Sequence, residues 1–454
     1  MFERLAYASV VLQMAVYISQ KDLVGGLHFE QSTKGWIFFC WAIVQNFTPV
    51  LFGGLSDKYG KKRIILISIF ISLIGFIGIA SFRDLLPFSI STIILGFGLG
   101  LFKPTIQGLI SQSMNIEQKS IGWSINVMLI NVAVFLAPPL TKFLEEISWF
   151  WVFAGNGIVI SINILIILLM RNKIKEIEYN DQNRFDISVI KLSLKGLLQA
   201  QVIYFLLIMS GFTIIYMQFY ESLPNFLYDW TDTSSLVKIL NLPDFMTNNT
   251  QRGIMIDFKW LYNINSGLIV IFVVLIGHFL SKFSIFKSLI IGLLLVSVGI
   301  ALSGISHYGS IAVLGMMIYT FGEMISNPKI SEFMSKHGDE KYRSMYMGLI
   351  NISFGIGLAG GSLLGGYLYK YWGEKSGLAL NYAKEHFPNI SNNLTHHNSL
   401  EFLSQQYKLN SNEITDMLFN YYHPQIFWLP FIIIGFVSIV LLFVYNKKYK
   451  DILR

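Results

Sequence analysis

Five charged side chains stand inside long apolar segments of this sequence: Glu3 and Arg4 near its start, then Lys103, Glu221 and Glu323. A charge inside a membrane is costly, so each of these is a functional candidate by default. Both signs occur, so they can pair. A carboxylate that faces a cation stays ionised; one whose partner leaves while water is excluded takes a proton. Lys103 falls about 24 Å along a helix from Pro87, and Glu323 about 20 Å from Ser310. A lysine and a glutamate at similar depth can meet across a central cavity. The other reading is two independent structural charges, each solvated by cavity water.

The elements that carry these residues follow from hydropathy. The chain has 454 residues, 53% of them hydrophobic and only 13% charged, against about 25% charged in a soluble protein. That composition reads as an all-α membrane protein. Apolar stretches of about 20 residues recur twelve times, at roughly 2–19, 33–56, 63–81, 87–112, 120–144, 149–170, 200–224, 254–280, 285–305, 310–335, 342–369 and 425–446. The single cysteine, Cys40, excludes an intramolecular disulfide and makes a zinc cluster implausible. The net charge of +7 does not imply nucleic acid, because the basic residues sit in short loops between spans. The first segment lacks the basic start and small-residue cleavage site of a secretory signal. No Walker loop, zinc motif or serine-nucleophile elbow is present, and "GFGLG" (96–100) sits in a span with no strand before it. Neither an enzyme nor a bound cofactor is expected.

With both termini in the cytoplasm, Lys and Arg fall on the inner side roughly two to one. Lys34, Lys142 and Lys259 then count among the outer-loop cations. Residues 171–199 read as a basic cytoplasmic linker whose second half could lie as an amphipathic helix on the inner surface. Residues 225–253 and 370–424 read as long polar outer loops. They contain the sequons at Asn248, Asn389 and Asn393; chance in an Asn-rich loop is at least as good a reading as glycosylation.

The chain repeats. A shift of 224 residues lays "GGLSDKYGKKR" (53–63) on "GHFLSKFSIFK" (277–287), and "GLGLFKP" (98–104) on "GEMISNP" (322–328). One offset serving two places indicates two pseudo-symmetric six-helix bundles, residues 1–170 and 200–454. Transporters of that build bind substrate near the midplane, between the halves. In the first segment, Gly53 and Gly54 allow close helix approach, Gly60 permits a tight turn, and Asp57 can cap a helix or pair with a cation. With Lys61 and Arg63, this loop closely resembles the Gly-x-Leu-x-Asp-x-x-Gly signature of the major facilitator superfamily, where it serves conformational switching.

A narrower resemblance covers nearly the whole chain. "GLGLFKPTIQGL" and "YTFGEMISNPKISEFMSK" are similar to the fourth and tenth spans of the proton-dependent oligopeptide transporter family. "MQFYES" resembles its seventh-span motif, with Glu221 kept and Ser222 replacing glutamine. "LINVAVFLAPPL" resembles its fifth span around Asn131, with Ala133 where glycine is usual. "YNINSG" keeps Asn265 and has Ser266 in place of proline. "ERLAYA" matches the first-span motif Glu-x-x-Glu-Arg-Phe-x-Tyr-Tyr at Glu3, Arg4 and Tyr7, with Leu5 and Ala8 as substitutions.

The resemblance implies a proton-coupled symporter that imports di- and tripeptides by alternating access in the plasma or inner membrane, with a peptide and a proton as its partners. A monomer is expected to suffice. Glu3 and Arg4 would form part of the proton site, with Glu221 a switching partner for Arg4. Lys103 would serve proton coupling or a substrate carboxylate, and Glu323 a substrate amino group. Lys103–Glu323 pairing would fit the empty state. Tyr7, Asn131 and Asn265 would line the substrate site. Tyr204 and Tyr262 could join them, although packing is the commoner use of an aromatic, and a packing or interface role is expected for His278. Gly357, Gly361 and Gly365 suit close helix packing. Two alternatives stay open: a transporter of another small metabolite or drug, possibly an exporter, and a transport-inactive homologue. The family's first glutamate would fall before Met1, and Leu5–Ile18 is too short a span, about 21 Å. About two turns are therefore expected to precede the written start.

Overall fold

The structure, a computed structural model, describes residues 1–21, 23–52, 56, 59–112, 119–169, 199–280, 283–336, 343–387 and 394–449. Twelve long helices run through it: α1 (Phe2–Ser19), α2 (Gln31–Phe52), α3 (Lys61–Ser81), α4 (Leu85–Gln112), α5 (Lys119–Ile147), α6 (Trp149–Leu169), α7 (Ala200–Glu221), α8 (Phe258–Leu280), α9 (Ile285–Gly304), α10 (Gly309–Lys336), α11 (Arg343–Trp372) and α12 (Leu429–Tyr449). Among the described residues nine helices are long and apolar enough to cross a membrane by that measure alone; α1, α2 and α8 complete the set. The chain is an integral membrane protein whose twelve long helices form two bundles.

The buried apolar side chains fall into two large clusters, one drawn from α1–α6 and the other from residues 202–445. The 224-residue offset relates them. It carries the bounds of α4 onto those of α10, and each of these helices holds one internal proline, Pro104 and Pro328. It also carries the contacts. A Cβ on Gly98 would press on the Ser72 amide nitrogen and the Ser68 carbonyl; one on Gly322 would press on the same atoms of Val296 and Gly292. Glycine at both sites lets α3 meet α4, and α9 meet α10, backbone to backbone.

The halves meet along α2–α11 and α5–α8. α11 is glycine-rich on two faces: Gly357, Gly361 and Gly365 abut α7, while Gly355 and Gly366 abut α2. The Gly35 Cα lies against Gly366, so these two helices touch across the halves without side chains between them.

The end of the bundle opposite the termini is more built than the sequence suggested. Residues 225–253 and 370–424 are not simple loops. α7 breaks at Ser222 and resumes as a buried helix, Leu223–Trp230. A helix (Ser234–Leu240) and a two-stranded hairpin, Thr247–Thr250 with Gly253–Ile256, follow. The expected eighth span therefore starts late: residues 254–256 are strand, and the Asp257 side chain accepts from the Lys259 amide (3.1 Å) as α8 begins. Helices Lys375–His386, Ser399–Tyr407 and Ser411–Tyr422 fill most of 370–424, the last opened by a reciprocal capping box of Asn410 and Glu413. They bury Ala379, Leu403 and Leu418 against the C-terminal core. Gly53, Gly54 and Asp57, nearly all of the 171–199 linker, and the sequons at Asn389 and Asn393 lie outside the described residues. Gly60 takes φ +89°, and the partly exposed turn gives way to α3 at the buried Lys61, with Arg63 exposed.

Candidate functional site

Among the described residues, three of the buried polar clusters hold the candidate site residues. The first is on α1. Glu3 is buried, and its carboxylate forms an ion pair with the Arg4 guanidinium at 3.0 Å. Its second carboxylate oxygen has no hydrogen-bond partner among the described residues. The Arg4 guanidinium sits 5.3 Å from the centre of the Tyr7 ring, and the Tyr7 ring packs on Trp41 of α2, ring centres 6.0 Å apart. Lys103 of α4, partly buried, is in the field of Arg4 and Glu3. It makes no hydrogen bond or ion pair with any described residue.

The second cluster is in the C-terminal half. The Glu323 carboxylate on α10 accepts from the Tyr216 hydroxyl of α7 and from the Asn265 amide of α8, each at 2.9 Å. Asn265 also donates to Thr320 Oγ1 at 3.1 Å. Tyr319 donates to the Tyr216 carbonyl at 2.8 Å and stacks on Phe219, ring centres 4.2 Å apart. Tyr262 donates to the Phe219 carbonyl, and Tyr220 packs between Tyr216 and Tyr262. No cation among the described residues contacts Glu323. The cluster is thus a carboxylate held by neutral donors inside a wall of phenols, an arrangement that can accept a proton or an ammonium group.

The third cluster joins the halves. Glu221, at the end of α7, is buried, and its carboxylate accepts from Ser362 of α11 at 2.6 Å. Lys34 of α2, 2% exposed, donates to the Glu221 main-chain carbonyl at 3.2 Å and lies against the Tyr369 ring. Glu221, Asp229 and Glu374 supply the negative field around it. Beyond the membrane end of α11, burial pushes the Glu374 carboxyl up to about 7.

Two expected pairings do not form. Arg4 is engaged by Glu3, and Glu221 faces Lys34 instead. Lys103 and Glu323 are not partners either, because α4 packs on α2 and α3 while α10 packs on α8, α9 and α11. Asn265 and Glu323 do come together; Asn131 is partly buried on α5, Tyr262 packs inside the tyrosine wall, and Tyr204 is exposed. The side chain of His278 lies outside the described set. Lys34 was counted as a loop cation; its position just inside a helix start was the available signal. Lys142 and Lys259 belong with it. Lys142 pairs with Asp257 (3.3 Å) and hydrogen-bonds Asn248, and Lys259 pairs with Asp257 (3.4 Å) and with Glu145. These charges bolt α5 to the start of α8, and they occupy the one described sequon asparagine.

The sequence matches the Major Facilitator Superfamily family model over residues 5–337 and 233–382. The chain belongs to that superfamily. Superfamily relatives include the uncharacterized MFS-type transporter YqjV of Bacillus subtilis (strain 168), 22% identical over 305 residues, covering 66% of this chain and 69% of the relative. A shorter stretch of 139 residues is 27% identical to the quinolone resistance protein NorA of Staphylococcus aureus, covering 31% of this chain and 34% of NorA. Among solved structures, the peptide transporter POT in complex with sulfate superposes with TM-score 0.66 at 14% identity, covering 98% of this chain and 93% of the other. At that identity the likeness is one of fold. Family and fold are those of transporters, not enzymes.

Proposed function

We propose that this protein is a proton-coupled symporter that imports di- and tripeptides by alternating access. The reading rests on one observation. Among the described residues, Glu323 in the C-terminal half is a buried carboxylate with no contacting cation, and Lys103 in the N-terminal half is a cation with no ion-paired carboxylate. A short peptide carries an ammonium at one end and a carboxylate at the other, so it complements this pair. Residues 1–170 and 200–454 move about the site as two bundles joined by 171–199, with both termini cytoplasmic. Glu3 with Arg4, and Glu221 with Lys34, are the coupling groups; a ligand shifts the halves only by its differential affinity for the two states.

Uptake of labelled dipeptides into proteoliposomes, with and without an inward proton gradient, tests this. Gradient-stimulated uptake is expected; absent or gradient-independent uptake across a peptide panel overturns it. A second reading keeps fold and coupling but carries another small metabolite or a drug, possibly outward. Ser222 and Ser266, which replace residues usual in the peptide family, and the stretch similar to NorA favour it. The same vesicles loaded with a proton-gradient dye and challenged with a solute panel separate the two.

A further inference from the structure

Four large apolar side chains stand out at the end of the bundle opposite the termini: Ile239 is 77% exposed, Leu240 59%, Phe245 59% and Ile254 55%. They do not come from scattered loops. Helix Ser234–Leu240 packs on the strand Gly253–Ile256 and on the start of α10. Phe245 packs edge-to-face on Trp260, ring centres 5.5 Å apart, and its carbonyl accepts from the Trp260 indole at 3.1 Å. The unit is thus one folded piece that leaves Ile239, Leu240 and Ile254 exposed and holds the exposed Phe245 against Trp260. Large apolar side chains left exposed together on one folded unit mark a binding face.

Its level in the fold says what it faces. Trp260 lies in the first turn of α8. Eleven residues on, about 1100° around the helix and so nearly on the same face, is Ile271, 63% exposed on an apolar helix and so placed to meet lipid in the membrane. Trp260 and Phe245 therefore cap a lipid-facing stripe. The segment is also tied to the α9–α10 connection, where the Asp232 amide donates to the His307 carbonyl and the Gly309 amide to the Asp232 carbonyl. That connection exposes Ile305 and Tyr308. Tryptophan and tyrosine at helix ends mark the headgroup layer.

We propose that residues 234–256 form a membrane-surface foot, with Ile239, Leu240, Phe245 and Ile254 seated in the headgroup layer of the bilayer. Lys238, on the same short helix, can extend its ammonium to lipid phosphates while its stem stays among apolar groups. The inference depends on the protein being embedded in a membrane and not on what it carries.

The test uses the full chain in nanodiscs. On a Cys40→Ser background, a fluorophore is attached at Leu240→Cys, at Phe245→Cys, or at Glu401→Cys on an exposed outer helix as reference. Nitroxide-bearing lipids are expected to quench the first two at least about twofold more than the reference, and aqueous iodide to do the reverse. If positions 240 and 245 quench like 401, the foot stands in water and the proposal fails. It also fails if both are shielded from lipid and water quenchers alike, because another protein surface then covers them.

Discussion

Lys34, on α2 of the N-terminal half, donates a 3.2 Å hydrogen bond to the main-chain carbonyl of Glu221, the last residue of α7 in the C-terminal half. The contact crosses between halves, and both residues are nearly inaccessible to solvent. Lys34→Met removes the cation and leaves Glu221 with Ser362 alone. The Glu221 carboxylate then stays buried without the nearby cation that opposes its charge, a loss of about 3 kcal/mol at most. We expect a lower thermal midpoint for the purified variant and loss of gradient-driven uptake, with solute counterflow retained. Unchanged gradient-driven uptake would take Lys34 out of the coupling machinery.

Glu323→Gln keeps the shape of the carboxylate and, through its one carbonyl oxygen, can still accept from Asn265 while its NH2 donates to the Tyr216 hydroxyl, but it removes the charge. If Glu323 receives a substrate ammonium, apparent affinity for dipeptides falls at least about tenfold, equal to 1.4 kcal/mol. Tyr216→Phe removes one neutral donor and costs less, about 1 kcal/mol. Counterflow titrations with both variants check the order; normal peptide transport by Glu323→Gln sinks its assigned role.

Gly35 and Gly366 leave no room between α2 and α11. A Cβ on Gly366 would lie 2.6 Å from the Gln31 carbonyl oxygen and 2.9 Å from the Gly35 Cα. Gly366→Leu is expected to wedge the halves apart at this end without replacing a charged residue. Its signature is faster reaction of an Asn225→Cys thiol with a membrane-impermeant maleimide, in a Cys40→Ser background, together with failed transport. A thiol no more reactive than in the glycine parent contradicts it.

Glu374 gives a pH dependence with a definite sign. Burial raises its carboxyl to about 7 from 4.5, so the folded state binds the proton more tightly than the unfolded one. Its contribution to stability is present in full below the unfolded value and is lost as pH rises towards 7. The ceiling is about 3 kcal/mol. Comparing the thermal midpoint of Glu374→Gln with that of the parent between pH 5 and pH 8 isolates it: the difference should grow in favour of the variant as pH rises. A constant difference would rule the titration out.

The repeat was readable because it is written into close packing. Gly98 and Gly322 meet equivalent backbone atoms, and a glycine required at a helix contact is visible at any sequence distance. Glu221, Asn265 and Glu323 were readable as polar residues in apolar company. Lys34, Lys142 and Lys259 were not, because hydropathy weighs each helix alone, whereas their burial depends on Glu221, Asp257 and Glu145 from other helices. The long-loop helices were missed for another reason. Helix Ser411–Tyr422 announces itself through Asn410 and Glu413, but its neighbours lack capping contacts and are ordered by burial against the C-terminal core.

Asn225 lies just past the break in α7. Its amide donates to the Ala15 carbonyl at 3.2 Å and to the Glu221 carbonyl at 3.3 Å, and its side-chain oxygen accepts from Ser19 at 3.2 Å. Gln20 reaches its main-chain carbonyl at 3.4 Å. Each such bond is worth about 1 kcal/mol net, and water replaces it when the halves part. A clasp made of many small bonds yields one strand at a time, with no single large barrier. Three of the four cross between the halves, together about 3 kcal/mol, below the roughly 5.5 kcal/mol that turns a two-state population over; in the proposed cycle that would put opening within reach of one bound solute molecule.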